Sequence, residues 1–322
     1  MACRTATNAG ASRLTWALDR TRLRRAAQRC DVRRMKLSVT RLKGHRRICG
    51  GALIGLTVLL PWTPLRAAEP LRVATYNIFI GNPDLERSIG VILAADVDIV
   101  ALQEVSHRQI DLLTTRLRER FPYRFFPEAT DGGAPALLSR LPLANERYRP
   151  SERGLNGFAF ADIEFDGRQV QVANLHLDPI RAWTLAYKLT VPWQMLWQGA
   201  RHRSELAQVS AELRPMVATI VLGDLNTIAS MAAPEELSRW GLVDSYAAIH
   251  SSAEKVATHR AAILGIPIGR RIDFIFHSRE FQTVDSELVP GEPSDHDMVR
   301  STLEWSDWIG THASGPVAEP GP

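Results

Sequence analysis

Cysteine is scarce in this 322-residue chain and is confined to its beginning. The three cysteines are Cys3, Cys30 and Cys49, and none follows them. The rest of the sequence therefore cannot contain a disulfide framework, and it needs no oxidising compartment in order to fold. Cys49 also lacks the surrounding sequence of a lipid-attachment site, which argues against a lipid anchor.

Positive charge is scarce once the first 67 residues are set aside. Those residues hold 15 lysines and arginines and two acidic residues, which leaves 24 basic and 33 acidic side chains in residues 68–322, a formal charge of −9. Proteins dedicated to duplex nucleic acid normally display a basic stripe. The charge argues mildly against such a protein, but local charge matters more than the sum, so a nucleic-acid substrate stays open.

The N-terminal apolar run is too short for a comfortable membrane span. Residues 48–60 number 13, whereas a span needs about 20. A basic stretch beginning at Met35 precedes this run, and a tolerable cleavage site before Ala68 follows it. This order is typical of a secretory signal peptide, so we interpret residues 1–67 as an Arg-rich extension plus a signal peptide, with translation starting at Met35. We expect a periplasmic or secreted protein; a retained N-terminal anchor is the alternative.

Residues 68–305 alternate strand-like apolar runs with helical segments, which predicts one α/β domain of mixed sheets covered by helices. Strands are expected at 71–75, 98–102, 170–173 and 219–222, a hairpin at 158–165 and 168–175, and helices at 85–94, 108–120 and 201–214. Residues 306–322 are rich in Gly, Pro and Ala and are expected to be disordered.

Polar clusters follow most of the predicted strands. They are Thr75-Tyr76-Asn77-Ile78, Leu102-Gln103-Glu104-Val105, Asn174-Leu175-His176-Leu177-Asp178, Gly223-Asp224-Leu225-Asn226, Arg271-Ile272-Asp273 and Ser294-Asp295-His296-Asp297. Each cluster alone is a weak signal. Because strand ends at one edge of an α/β sheet line a common crevice, we expect these clusters to meet in one site.

The order and spacing of these clusters resemble the endonuclease/exonuclease/phosphatase superfamily over about residues 71–305. That superfamily includes deoxyribonucleases, abasic-site endonucleases, neutral sphingomyelinases and inositol polyphosphate 5-phosphatases. The resemblance implies a four-layer α/β sandwich, with two mixed sheets face to face and helices outside. It also implies a metal-dependent phosphoester hydrolase, with a phosphodiester favoured as substrate. Nucleic acid, phospholipid and inositol phosphate all stay open as substrates. The alternative to an enzyme is a non-catalytic binding module on the same fold.

The resemblance further implies a metal centre. Glu104 is the expected principal ligand of Mg²⁺ or Mn²⁺, because hard cations prefer oxygen ligands. Asn77, Asp224 and Asp295 are expected to bind the same ion or its waters. Alternatively, Glu104 has no function in a metal site and is only a solvated charge at a strand end.

Catalytic roles are likewise implied by the resemblance. His296 is the expected general base, with Asp273 orienting its ring, and a carboxylate partner should raise the pKa of His296, so activity should fall at acidic pH. His176 is expected to donate to a phosphate oxygen or assist the leaving group. Asp224 would position water or act as the base, and Asn226 would hold a phosphate oxygen, unless Asn226 merely caps its own turn.

Residues 179–198 contain no acidic residue but are rich in aromatic side chains, namely Trp183, Tyr187, Trp193 and Trp197. Their four-residue spacing predicts two amphipathic turns, broken at Pro192. One interpretation is a helical flap packed on the domain. The other is an aromatic wall that rests at a membrane interface or stacks on bases, and the membrane case would favour a lipid headgroup substrate. We expect a monomer.

Two basic groups, residues 201–203 and 270–271, could line a modest groove for an anionic substrate. We interpret Asp178 as the start of a turn before Pro179, and Arg271 as the partner of an acidic residue beneath the site. Neither residue is assigned a catalytic role.

Export is directly testable. Translation from Met35 should suffice for export, and the exported species should begin near Ala68, because residues 48–60 have the length of a cleaved signal rather than of an anchor. Intact-mass measurement of the exported protein checks both statements. Persistence of residues 48–60 in the mature protein would instead identify an anchored enzyme.

Overall fold

The computed structural model describes residues 69–128, 133–152, 156–181, 185–263 and 266–306, without the side chains of Leu185, Tyr187 and residues 261–263 and 266–268. The predicted start at Met35, the signal peptide, the cleavage site before Ala68, Trp183 and nearly all of the predicted tail lie outside the described residues.

The domain is built from strands β1–β14 and helices α1–α5. The strands are β1 (Leu71–Asn77), β2 (Ile99–Val105), β3 (Tyr123–Phe125), β4 (Ala134–Ser139), β5 (Ala144–Pro150), β6 (Gly157–Phe165), β7 (Arg168–His176), β8 (Ala218–Asp224), β9 (Val243–Asp244), β10 (His259–Ile263), β11 (Ile266–Arg270), β12 (Asp273–His277), β13 (Phe281–Val289) and β14 (Met298–Trp305). The helices are α1 (Leu85–Ala94), α2 (His107–Leu117), α3 (Leu185–Glu212), α4 (Ala232–Arg239) and α5 (Ser245–Ile249).

Two six-stranded mixed sheets form the centre of the fold. The first has the order β13-β14-β1-β2-β4-β3, and the second has the order β5-β6-β7-β8-β12-β9. In each sheet one pair is parallel, β1 with β2 and β7 with β8, and the other pairs are antiparallel. Strands β10 and β11 form a separate hairpin.

Alternating side chains give each sheet an inner and an outer apolar face. Leu71 and Val73 of β1 point into the layer between the sheets, where Val172 of β7 and Ile220 of β8 also lie. The outer face of the first sheet packs on α1 and α2. The outer face of the second packs on α3 and α4. The predicted four-layer sandwich is therefore confirmed.

Most predicted elements are present with shifted ends. Helix α1 has the predicted bounds, whereas α2 ends at Leu117, before the predicted residue 120. Strands β1, β2, β7 and β8 continue beyond their apolar runs, so that the polar side chains Asn77, Glu104, His176 and Asp224 lie within the strand ends.

The predicted break at Pro192 is wrong, because α3 runs from Leu185 to Glu212 with Pro192 inside it. Proline removes one backbone N–H from the helix and crowds the preceding turn. Here Pro192 is exposed, so water can satisfy the carbonyl that loses its partner. The C-terminal part of α3 packs on the sheet through Leu206 and Val209. No helix in the described part of the chain is both long and apolar enough to cross a membrane.

Gly223 allows β7 and β8 to approach each other beside the polar strand ends. Its φ is +142°, and a Cβ there would lie 1.9 Å from the carbonyl oxygen of Leu175. Gly223→Ala should therefore lower the free energy of unfolding by about 1–3 kcal/mol or more, as overpacking does. Thermal melting checks this. Gly90→Ala is the control, because no neighbour lies within 4 Å of its added Cβ and alanine favours a helix interior. Equal melting of the two variants would contradict the expected clash.

Candidate active site

The strand directions bring the polar clusters to one edge of the sandwich. Asn77 ends β1 and Glu104 lies near the end of the parallel strand β2, while His176 and Asp224 end the parallel pair β7 and β8. His176 is opposite Asp224, and Asp224 is opposite Asp273, the first residue of the antiparallel strand β12. Three of the predicted catalytic side chains therefore form one row across the second sheet.

Asn77 joins the two sheets at this edge. Its Nδ2 donates to Oε1 of Glu104 and to Oδ2 of Asp224, each at 3.1 Å. Its Oδ1 accepts from the backbone N–H of Phe79 at 3.0 Å, so the amide nitrogen faces the two carboxylates. The other oxygen of Glu104 accepts from the N–H of Ile80 at 2.9 Å. Asn77 thus holds two carboxylates from opposite sheets close together.

His296 and Asp273 form a buried pair. His296 Nδ1 donates to Asp273 Oδ2 at 2.9 Å, which leaves Nε2 facing the site, 3.7 Å from Asp224 Oδ2. The Asp273 backbone N–H donates to the hydroxyl of Thr258. The His296 N–H donates to Ser294 Oγ, whose hydroxyl donates to the Asn77 carbonyl. Asp273 is therefore held by the residue before β10, and His296, which precedes β14, is linked to β1 through Ser294.

The charges around His296 favour its protonated ring. Burial disfavours the imidazolium, but the carboxylates of Asp273 and Asp224 outweigh burial and raise the pKa of His296 to about 10. This agrees in direction with the expectation from the sequence. The protein groups alone therefore hold a proton on His296 at neutral pH.

His176 and Asp224 lie deeper in the site. His176 Nε2 is 3.6 Å from Asp224 Oδ2 and 4.0 Å from Glu104 Oε1. Burial lowers the pKa of His176, against the opposing effect of Asp224. Burial raises the pKa of Asp224, and the neighbouring carboxylate of Asp273 adds to that effect. The centre of the site therefore disfavours additional negative charge.

Asn226 has a left-handed backbone, with φ of +48°. Its N–H donates to Asp224 Oδ1 at 2.8 Å, and its side-chain Nδ2 donates to the Leu177 carbonyl at 3.0 Å. The amide therefore binds the end of β7 and does not cap its own turn.

His259 is a site residue that the sequence analysis missed. It begins β10, and its Nε2 lies 3.7 Å from Oδ2 of Asp295. The ring centroids of His259 and His296 are 4.7 Å apart. No polar cluster or motif surrounds His259 in the sequence, so nothing local distinguishes it from a surface histidine.

The donor set fits a hard divalent cation. Ligand atoms lie within 4.8 Å of one another in two groups, Asp224 with Asp273 and His296, and His259 with Asp295 and His296. Oδ1 of Asp273 and Oδ1 of Asp295 are buried and have no hydrogen-bond partner. Carboxylate oxygens of this kind match the preference of Mg²⁺ and Mn²⁺ for oxygen ligands. Glu104, the predicted principal ligand, belongs to neither group and is linked to Asp224 through Asn77.

The basic groove predicted at residues 201–203 and 270–271 is only partly present. Arg201 Nη1 lies 2.9 Å from Asp178 Oδ2, and His202 Nε2 donates to the Asp178 carbonyl, so both bind Asp178. Arg271 pairs with Asp244, an acidic residue, as expected. Arg270 does line a cleft, of about 470 Å³, together with Ile228, Ser230 and Lys255.

Asp178 itself is more than a turn residue. It is 1% exposed, and its carboxylate pairs with Arg181 at 3.0 Å as well as with Arg201. Its backbone N–H donates to Glu205 of α3 at 3.1 Å. Asp178 therefore ties α3 to the chain just after His176.

Comparisons with known proteins give a family match in sequence and several similar solved structures. Residues 74–296 match the sequence profile of the Endonuclease/Exonuclease/phosphatase family. No curated protein matches the chain in sequence.

Among solved structures, an endonuclease/exonuclease/phosphatase from Beutenbergia cavernae DSM 12333 is similar with a TM-score of 0.59 and 20% identity, over 74% of this chain and 72% of that one. D. rerio TDP2, complexed with single strand DNA product, has a TM-score of 0.55 and 16% identity, over 73% and 99%. Sphingomyelinase C from Streptomyces griseocarneus has a TM-score of 0.53 and 18% identity, over 72% and 99%. At these identities the likeness shows the shared fold.

Proposed function

We infer that this chain, which belongs to the endonuclease/exonuclease/phosphatase family of phosphoester hydrolases, is an exported, Mg²⁺-dependent phosphodiesterase that acts as a monomer. The observation that carries the inference is the buried His296 and Asp273 pair, 2.9 Å apart, in the same site as Glu104 and Asp224. A positioned base beside oxygen ligands is what hydrolysis of an unreactive phosphodiester requires.

Each side chain of the site then has a role that its contacts support. His296 Nδ1 is held by Asp273, so Nε2 is the atom that takes a proton from the attacking water. Asp224 lies 3.7 Å from that nitrogen and positions the water. His176 and Asn226 bind the phosphate oxygens.

Glu104, Asn77, Asp224 and Asp295 would hold Mg²⁺ or Mn²⁺, directly or through water. The bound cation would neutralise charge on the phosphate, stabilise the leaving alkoxide and lower the pKa of His296 towards the working range of a base. In the amide orientation observed, Asn77 contributes by holding the Glu104 and Asp224 carboxylates together.

A binding module without catalysis is the competing proposal, because a fold alone does not fix function. It would have no need for a histidine pinned by a carboxylate that is 0% exposed. Hydrolysis of bis-p-nitrophenyl phosphate with Mg²⁺, and its loss in the presence of a chelator, would separate the two proposals.

Substitution of the base and of the principal ligand tests the proposed chemistry. His296→Ala should lower turnover by roughly 10²- to 10⁴-fold, the usual contribution of a general base, and Glu104→Ala should also lower it by orders of magnitude. Excess Mg²⁺ should partly restore Glu104→Ala and should leave His296→Ala unchanged. Bis-p-nitrophenyl phosphate hydrolysis and thermal melting are the measurements.

The matched controls are His107→Ala and Glu119→Ala, which remove exposed side chains on or beside α2. Both should behave as the unsubstituted protein does. A folded His296→Ala protein with near-normal turnover would overturn the proposed mechanism.

The exposed apolar stripe of α3 supports a lipid substrate. Leu189, Trp193, Leu196 and Trp197 are 73%, 67%, 66% and 62% exposed, and their spacing places them on one helix face. This exposure does not fit a flap packed on the domain. Similar structures include both a sphingomyelinase C and a TDP2 with single strand DNA product, so the fold serves both substrate classes.

Charge near the stripe favours an anionic partner surface. Residues 179–204 include Lys188 and Arg203, both exposed, and no acidic residue, although residues 68–322 as a whole are acidic. Tryptophan side chains with adjacent cations are typical of helices that bind at an anionic bilayer interface. We therefore propose that Trp193 and Trp197, with Trp183 beyond the described residues, contact the membrane that carries the substrate.

Replacing both Trp193 and Trp197 with alanine tests the surface. Hydrolysis of sphingomyelin and binding to vesicles of sphingomyelin and phosphatidylglycerol should fall by about tenfold or more, since each lost factor of ten corresponds to about 1.4 kcal/mol of binding. Turnover of bis-p-nitrophenyl phosphate should barely change, because both tryptophan side chains are largely exposed to solvent.

Met216→Ala with Leu93→Ala is the control, since both side chains are exposed and apolar but lie outside α3. Equal loss on both substrates, together with a lower melting temperature, would restore the packed-flap interpretation. Loss confined to single-stranded DNA would assign the stripe to base stacking.

A further inference from the structure

Gln198 connects α3 to the proposed phosphate-binding loop. It is 4% exposed, and its Nε2 donates to the backbone carbonyl of Asn226 at 2.9 Å. Gln198 belongs to none of the polar clusters, and it lies next to Trp197, whose side chain is exposed. The buried side-chain amide of Gln198 therefore links the helix that carries the exposed stripe to the loop that carries Asn226.

The backbone of Asn226 adopts a conformation that needs support from its neighbours. Its φ of +48° lies in the left-handed region, which is unfavourable for residues other than glycine and tolerable for asparagine. Such a conformation persists when surrounding contacts over-determine it. Here Asp224 binds the Asn226 N–H, Leu177 binds its side chain and Gln198 binds its carbonyl.

The three contacts to Asn226 come from different layers of the fold. Asp224 and Leu177 belong to the strand ends and the residues next to them, so they fix the Asn226 amide relative to the sheet. Gln198 belongs to the helical layer and fixes the carbonyl side of the same residue. Because one N–H of the Asn226 amide donates to Leu177, the second is the one left for a phosphate oxygen, and its direction depends on this backbone.

We propose that Gln198 is a positioning residue, which holds Asn226 in its left-handed conformation and thereby aims the second amide N–H at the phosphate. This inference rests on the proposed hydrolysis and adds a residue to its machinery. Small misplacement of a group that binds the reacting phosphate is costly, because catalysis depends on near-attack geometry.

Gln198→Met removes the N–H donor and nearly preserves side-chain size. We expect kcat for bis-p-nitrophenyl phosphate to fall about tenfold, a common cost of lost orientation. The Mg²⁺ concentration for half-maximal activity should be unchanged, because Gln198 contacts none of the proposed ligands. The matched control is Gln208→Met, since Gln208 lies on the same helix but bonds to Ser204 and Glu152; it should retain full turnover.

A double-mutant cycle with Asn226→Gly gives the decisive measurement, because glycine keeps the backbone carbonyl, tolerates the left-handed conformation and removes the amide. If Gln198 acts through the Asn226 amide, Gln198→Met should cost little further activity in the Asn226→Gly protein. An equal loss in both backgrounds, or wild-type kcat in Gln198→Met, would overturn the proposal.

Two further outcomes are separable. If His296→Ala abolishes turnover while Gln198→Met does not change it, the hydrolase proposal stands and the positioning proposal fails. If His296→Ala retains turnover, the hydrolase proposal fails first, and the role of Gln198 in that chemistry falls with it. Should Gln198→Met not fold, Gln198→Glu, which also lacks the N–H donor, is judged by the same cycle.

Discussion

Repulsion between buried carboxylates is the constraint on which the site depends. Asp224 and Asp273 lie opposite each other on the paired strands β8 and β12, and both are nearly inaccessible to solvent. Such an arrangement is costly unless positive charge or hydrogen-bond donors compensate it. The compensation is visible in the proton favoured on His296, in the amide of Asn77 and in the grouping of Asp224, Asp273 and His296, which could hold a divalent cation. Loss of any one of these would leave buried negative charge without compensation.

A second set of buried charges anchors α3 beside the site. Asp178 follows His176 by two residues and binds Arg181 and Arg201 through its carboxylate. The carboxylate of Glu205 accepts the backbone N–H of Asp178, and burial raises the pKa of Glu205 to about 7. A buried network of this kind is sensitive to the loss of one partner. It fixes the helix where Gln198 can reach Asn226.

Local sequence signals predicted the strands and their polar ends, because an apolar run followed by a polar residue is a property of a few neighbouring positions. Asn77, Glu104, His176 and Asp224 were identified in this way. The link from Asn77 to Asp224 spans 147 positions and depends on how two sheets face each other, so no local pattern contains it. His259 and Gln198 were missed for the same reason. Pro192 was misjudged because a proline removes one backbone N–H from a long helix, and its exposed turn leaves the freed carbonyl to water.

The two faces of α3 place the proposed substrate surface close to the chemistry. Trp193 and Gln198 are five residues apart on one continuous helix, a rise of about 7.5 Å at 1.5 Å per residue. One points to solvent and the other binds the loop that carries Asn226. A bilayer resting on the tryptophans would therefore bind the same helix that holds that loop, at a distance of about one helix diameter. Stacked bases would use only the rings of Trp193 and Trp197, whereas a bilayer would also use Leu189 and Leu196, so the exposure of these two leucines is the feature that supports the proposed lipid substrate.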